Sequence, residues 1–373
     1  MDFGFTDEQA LLRESVTRYL EKNYSFEARR ALVRSDRPFS PEVWATFTEL
    51  GLLGLPFPEG VGGLGGSVVD VVAIAEPFGE HLLVEPYLPT ILLAGRALAA
   101  AGEHPVARDW LARIVAGDAH GALAHEEGRG TPDPARVATR CRRSGDGYRL
   151  DGEKRLVLGA AHADVLVVTA RIDDGTGGLA LLVVEPGASG VRITPFRTID
   201  GRSAAHVGFD AVEVPAEHCL TTDAHAAITA TLADAVVALA AEGVGAMTAL
   251  LRRTAEYAAT RKQFGVPIAG FQAVAHRLAD MRIACTKARA TLLRTAALAE
   301  AGRAAPRDIS VLKAQVGRLG RAVGEAAVQT HGGVGTTDEL AVGHYLKRLL
   351  AIDAMFGDSE YHLRLVGAGT PAV

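Results

Sequence analysis

Arg261-Lys262-Gln263-Phe264-Gly265-Val266-Pro267-Ile268, followed by Phe271-Gln272 and Leu278-Ala279-Asp280-Met281, is the stretch on which the fold turns. An Ala-rich run with apolar residues at helical spacing precedes it from Ala224 to Thr260, and a second such run continues to Ala301. The octapeptide is therefore a corner between two helices. Gly265 and Pro267 supply the break, because proline lacks an amide donor and biases Val266 out of the α region. Arg261 and Lys262 also have a purely structural reading, as cations facing the negative end of a helix dipole.

Working outward, residues from 224 onward read as four long helical segments, about 224–260, 271–301, 307–330 and 338–366. Gly302 to Pro306 is a turn, and Pro306 is suited to open the third helix. Helices with such short connections form an antiparallel bundle. Their lengths exceed the globular average, so they are expected to meet neighbouring subunits too. Upstream, residues 119–222 change texture. Val165-Leu166-Val167-Val168-Thr169 and Leu179-Ala180-Leu181-Leu182-Val183-Val184 are short apolar runs bounded by turn residues, and Gly145 to Lys154 alternates like a hairpin. Residues 1–118 read as short helices. Thr6-Asp7-Glu8-Gln9 is a capping box, and Ser40-Pro41-Glu42 opens another helix. The chain is thus α+β and multi-domain: an N-terminal helical domain (1–118), a middle β domain (119–222) and a C-terminal four-helix bundle (223–373).

At 373 residues the chain exceeds the usual reach of one core. Its 48% hydrophobic and 22% charged content is that of a globular protein. A net charge of −5 offers no basic field for a nucleic-acid backbone. Cys141, Cys219 and Cys285 are odd in number and scattered, fitting neither a disulfide framework nor a zinc site. The N-terminus carries Asp2, Asp7 and Glu8 rather than a basic run before an apolar core. Apolar helical candidates such as Ile91 to Ala101 are too short to span a bilayer. A cytoplasmic protein with no membrane segment is expected. The glycine run Gly60, Gly62, Gly63, Gly65 and Gly66 lacks a following Lys-Ser/Thr, so it is not a P-loop. His125-Glu126-Glu127 has no second cluster with ligand spacing, so a solvated loop rather than a metal site is expected there.

The octapeptide with Phe271-Gln272 and Leu-Ala-Asp-Met resembles the signature of the acyl-CoA dehydrogenase family. Gln329-Thr330-His331-Gly332-Gly333-Val334-Gly335 resembles that family's Gln-x-x-Gly-Gly segment at the expected distance. Two ordered blocks are more specific than either alone. The resemblance runs in order from Phe5 to the C-terminus and implies a β-barrel-like middle domain between helical ones, FAD as cofactor and α,β-dehydrogenation of an acyl-CoA thioester. It assigns Arg261, Gln263, Phe264, Gln272, Gln329, Gly332 and Gly333 to the ADP half of FAD, in the family usually that of the adjoining subunit. Arginine suits a pyrophosphate through its planar fork. Glycine at 332 and 333 lets backbone approach closely, which a plain helix C-cap would need as well.

The rest of the site departs from the family pattern. Where the family usually reads Thr-Glu-Pro-x-x-Gly-Ser-Asp, this chain has Ala124-His125-Glu126-Glu127-Gly128-Arg129-Gly130-Thr131. Where it has Lys-x-Trp-Ile-Thr/Ser, this chain has Lys154-Arg155-Leu156-Val157-Leu158, and leucine offers no hydrogen bond to a flavin ring. Phe356 stands where many members carry the glutamate base, and Ala235 where others place it on the first bundle helix. Asp234 is adjacent to the second position but points about 100° away on a helix. Asp234 is the candidate base, set against an exposed or capping carboxylate, with Asp353 and Asp358 behind it.

Intact nucleotide motifs, an altered ring site and empty base positions together resemble the small-subunit type, like the pimeloyl-CoA dehydrogenase small subunit. Pro56-Phe57-Pro58-Glu59, Val84-Glu85-Pro86-Tyr87, Gly343-His344-Tyr345 and Phe356-Gly357-Asp358 add to that likeness. The implied partners are an acyl-CoA, a larger homologous subunit in a heterotetramer or else a second copy (homotetramer or dimer), and an electron-transfer flavoprotein. Three alternatives stay open: a self-sufficient homo-oligomer with an unusual base, a non-catalytic scaffold or acyl-thioester-binding subunit, and a flavin-dependent hydroxylase on the same fold.

Overall fold

The computed structural model describes residues 4–128, 132–173 and 177–369. In chain order the helices are α1 (Asp7–Asn23), α2 (Phe26–Arg34), α3 (Pro41–Glu49), α4 (Val68–Glu80), α5 (Arg96–Ala99), α6 (Pro105–Val115), α7 (His225–Thr260), α8 (Gln272–Glu300), α9 (Pro306–His331), α10 (Ala341–Ala354) and α11 (Ser359–Gly367). Between α6 and α7 run strands β1 (Gly121–Ala124), β2 (Arg140–Ser144), β3 (Gly147–Leu158), β4 (Val165–Ile172), β5 (Leu179–Val184), β6 (Val191–Arg197), β7 (Ser203–Val214) and β8 (Cys219–Thr221). The contacts divide the chain into two compact units, one of Met1–Ala31, Val68–Leu83 and Val236–Val373, the other of Leu32–Ser67 and Val84–Ala235.

In the first unit, α1 starts as its sequence dictates: Thr6 accepts from the Gln9 amide while the Gln9 side chain accepts from the Thr6 amide. Its Val16 and Leu20 are buried, and the helix packs on α4. Backbones of α4 and α7 touch directly. A Cβ on Gly79 would fall 1.8 Å from the Glu242 carbonyl oxygen, and one on Gly245 would fall 1.9 Å from that of Glu76. Only glycine permits this approach. Near the crossing, Arg348 of α10 grips the Glu242 carboxylate through two bonds of 2.8 and 2.7 Å, both groups buried. Helix α9 packs against α8, α10 and α11.

The expected fourth bundle segment (338–366) is two helices, not one. Phe356 and Gly357 adopt φ of 56° and 87°, which no right-handed helix contains, and the chain restarts at Asp358, whose carboxylate caps α11 through the Tyr361 amide. Helix α7 is long and apolar enough to cross a membrane by those two measures alone, against the expectation that such segments are too short. Within the protein, 72% of its most apolar window is buried, as for a core helix.

In the second unit the sheet order is β6-β7-β3-β2-β4-β5-β8, with β1 parallel to β4. The β2–β3 hairpin closes through Gly145 and Asp146, where Gly145 supplies the positive φ. Its core gathers Leu150, Leu166, Val168, Leu182, Val207 and neighbouring residues. Beside β1, residues Leu88–Gly95 wind as a π-helix, and Thr90 bonds the Gly121 carbonyl. A π-helix of eight residues is rare and has no sequence signature that periodicity would find.

Candidate cofactor-binding and catalytic site

The two motif blocks meet in the first unit. Arg261 ends α7, its amide donating to the Tyr257 carbonyl, and the corner closes when the Ile268 amide bonds the Arg261 carbonyl at 2.8 Å. Between them Lys262–Gln263 pairs with Val266–Pro267 as a miniature hairpin, β9 and β10. At its tip Phe264 has φ of 52° and is 93% exposed, with the Phe271 ring edge-on at 6.1 Å. Arg261, Gln263, Gln272 and Gln329 are likewise exposed. The bare ring thus stands on a left-handed backbone that residues other than glycine seldom adopt.

The glycine block is brought to this corner by a contact that sequence reading missed. Tyr257, one turn before Arg261, stacks on His331 with ring centroids 4.3 Å apart, and its hydroxyl donates to the His331 carbonyl at 3.5 Å. The His331 Nδ1 donates back to Ala327 within α9. The helix ends at Gly332 (φ 66°), so the C-cap role is real. Among the described residues, nothing lies within 4 Å of where a Cβ on Gly332 or Gly333 would stand. These seven residues therefore fit the nucleotide half of a dinucleotide: a guanidinium, three amides, an unburied ring and two bare backbone positions.

Phe356, the residue that the resemblance sets against the family's glutamate base, is a buried ring on a left-handed backbone. A framework holds that corner. The buried Lys313 ammonium donates to the Asp353 and Gly357 carbonyls at 2.8 and 2.6 Å, and His362 Nε2 donates to the Phe356 carbonyl at 2.9 Å while Nδ1 accepts from Ser310. Burial pushes the His362 pKa down to about 4. Asp353 accepts from the Ser359 amide and faces Arg321, and Asp358 is the α11 cap, so both carboxylates have structural work.

In the second unit, Ala235 is fully buried. Asp234 is paired with Arg96 of α5, whose guanidinium also donates to the Pro56 carbonyl at 3.2 Å. Its side chain is 27% exposed. Arg96 had no signal in the sequence beyond its charge inside an apolar run.

The stretch after β1 corrects the expectation of a solvated loop. His125 and Glu126 are buried. His125 Nδ1 meets the Thr169 hydroxyl at 2.9 Å, and the fully buried Lys154 ammonium reaches Glu127 at 2.7 Å, the His125 carbonyl at 3.3 Å and Thr169 at 3.3 Å. Glu127 also accepts from the Ala138 and Thr139 amides. Burial lowers the Lys154 pKa to about 8 against the pull of Glu127, and burial beside Lys154 takes His125 down to about 4. An apolar strand carries these groups into the core, where they must satisfy one another. Arg129, Gly130 and Thr131, the end of the family's Thr-Glu-Pro-like stretch, lie outside the described residues. Leu156 and Leu158 bring no polar side chain to the sheet, so the ring half of a flavin finds no side-chain donor at these two positions.

Known proteins match the chain along its length. The family description "Acyl-CoA dehydrogenase, N-terminal domain" matches residues 6–118, the middle domain 122–212 and the C-terminal domain 225–370. The chain is 32% identical to acyl-CoA dehydrogenase FadE27 of Mycobacterium tuberculosis over 100% of both chains. It is 27% identical to the short-chain specific acyl-CoA dehydrogenase of Clostridium acetobutylicum, covering 96% of this chain and 97% of that one. Among solved structures, the ChsE4-ChsE5 complex from Mycobacterium tuberculosis contains a chain matching with a TM-score of 0.91 and 29% identity over the full length of both. The helical N-terminal, β middle and helical C-terminal regions are those of the same three-domain fold. Matched along nearly all of its length, this chain belongs to the acyl-CoA dehydrogenase family.

Proposed function

We propose that the chain is one subunit of an FAD-dependent acyl-CoA dehydrogenase, completing a flavin site with a homologous larger subunit that carries the ring pocket and the base. The observation that carries this reading is Phe356: the framework of Lys313, His362 and Asp353 holds that corner rigidly, yet it presents a ring that can take no proton. FAD, when bound, supplies the hydride acceptor for oxidation of an acyl-CoA to its 2-enoyl thioester. This chain's part is binding and orientation. Arg261 offers its guanidinium to a pyrophosphate, Gln263, Gln272 and Gln329 offer amides, Phe264 offers an unburied face, and Gly332 and Gly333 allow backbone approach. The proton next to the thioester carbonyl leaves to a carboxylate of the companion chain, and electrons pass on to an electron-transfer flavoprotein. A heteromeric relative exists in the ChsE4-ChsE5 complex. Three free cysteines agree with a cytoplasmic setting.

Expression of this chain alone and together with the companion family member tests the proposal. Full flavin loading and turnover are expected only from the pair, and a flavin-loaded, fully active enzyme from this chain alone overturns it.

Asp234 supports a second reading, a homo-oligomer with an unorthodox base, because its carboxylate retains some exposure. Its ion pair with Arg96 gives it a structural occupation instead. Loss of activity with flavin retained in Asp234→Ala would establish the second reading. Retained activity in the complex removes it.

A further inference from the structure

Among the described residues, none approaches the side of the Gly332 and Gly333 backbone where a Cβ would stand, so the place of that segment is inherited from its ends. Upstream the anchor is His331 beneath Tyr257. Downstream the turn closes through Thr337, whose amide and hydroxyl both donate to the Val334 carbonyl, while the Thr336 hydroxyl donates to Gly333. Helix α10 then passes close by: a Cβ on Gly343 would lie 3.3 Å from the Gly335 carbonyl oxygen. The next residue, His344, donates from Nε2 to the Asp338 carboxylate at 3.0 Å, with the Asp338 carbonyl at 3.2 Å. Its Nδ1 lies 3.1 Å from Nη1 of Arg29, a buried guanidinium whose Nε donates to the Leu82 carbonyl at 2.8 Å. A guanidinium does not give up its proton, so Nδ1 must be the acceptor and the ring a neutral Nε2–H tautomer.

We infer that His344, set in that tautomer by Arg29, is a positioning residue that orients the Gly332–Gly333 backbone for the nucleotide half of the cofactor. This rests on the cofactor reading above. Facing His344 are Arg29 from α2, Asp338 from the turn, whose carboxylate also pairs with Arg30 of α2 at 3.6 Å, and Lys347 on its own helix; Phe26 lies edge-on at 5.0 Å. Burial and the cations hold its pKa below the usual histidine range, and protonation at Nδ1 would set it against Arg29.

The test uses the oligomer purified through this chain, stripped of flavin and titrated with FAD. Variants are His344→Phe, which keeps the ring, His344→Gln, which keeps a donor toward Asp338, and Arg261→Ala as a control. Expected are FAD affinity at least about tenfold weaker in H344F and near wild type in H344Q. Wild-type affinity in H344F or equal loss in both variants overturns the inference. If H344F fails to fold, Asp338→Ala, which removes the carboxylate that His344 holds, decides: FAD affinity is expected to fall about tenfold there too, and wild-type affinity overturns the inference. Should R261A lose FAD while H344F keeps it, only the role of His344 falls. Should R261A bind like wild type, or wild type carry no flavin, the cofactor reading falls and takes this inference with it.

Discussion

Tyr257 lies flat against His331, rings 4.3 Å apart and inclined by 22°, and this pair joins the Arg261 corner to the glycine turn. An aromatic pair of this kind contributes about 0.5–1.5 kcal/mol beyond its buried area. Tyr257→Ala is therefore expected to weaken FAD binding by roughly 2- to 10-fold. Tyr257→Phe keeps the stack and loses only a long hydrogen bond of 3.5 Å, so it should bind near wild type. Fluorescence titration with FAD separates the two; equal loss in both would mean that the hydroxyl, not the stack, holds the turn.

Gly245 lets α7 lie against α4. A methyl group there would meet the Glu76 carbonyl at 1.9 Å, and because backbone cannot swing aside the helices must part. Gly245→Ala should destabilise by about 1–3 kcal/mol or more, despite the better helix propensity of alanine. Thermal unfolding reads this directly, and an unchanged midpoint would contradict the close crossing.

His362 links stability to pH. Folded, it takes up a proton only near pH 4, since Nε2 donates to Phe356 and Nδ1 accepts from Ser310; unfolded, it does so near its ordinary 6.5. Between those values the unfolded chain binds more protons, so stability is complete above 6.5 and declines as pH falls toward 4. The loss is of order 3 kcal/mol, from about 2.5 pKa units. His125 adds a drop in the same window. Urea unfolding at pH 7 and 4.5 measures the sum. His362→Gln should flatten the slope, and an equal slope in that variant would remove His362 from the account.

Phe356→Gly sets two effects against each other. Glycine relieves a left-handed backbone worth about 1–2 kcal/mol, but emptying a buried phenyl site costs about 3–5 kcal/mol. The cavity wins, so the variant should lose roughly 1–4 kcal/mol in denaturant unfolding. A gain in stability would mean that the ring is not part of the core.

Much of the fold was legible because the signals are local. The Thr6–Gln9 box, Pro41 and Pro306 at helix starts, and Gly145 in the hairpin act within four residues of themselves. The split between α10 and α11 was half visible: Gly357 is a plausible stop on its own, but Phe356 with a positive φ is held by Lys313 and His362, tens of residues apart or across a turn. The misjudged loop after β1 shows the opposite failure. His125-Glu126-Glu127 reads as polar, and only the arrival of Lys154 and Thr169 from β3 and β4 makes it buried.

By itself the sequence determined the order of helical, β and helical regions, the corner at Arg261, the glycine turn and the lack of a carboxylate at positions 235 and 356. These are matters of period, caps and residue identity, carried by neighbours along the chain. Only the tertiary structure decided that Tyr257 rests on His331, that Arg96 engages Asp234, and that Arg29 meets His344 across 315 positions. Such pairs are chosen by which surfaces pack together and which buried polar groups must find partners, and no local pattern states that choice.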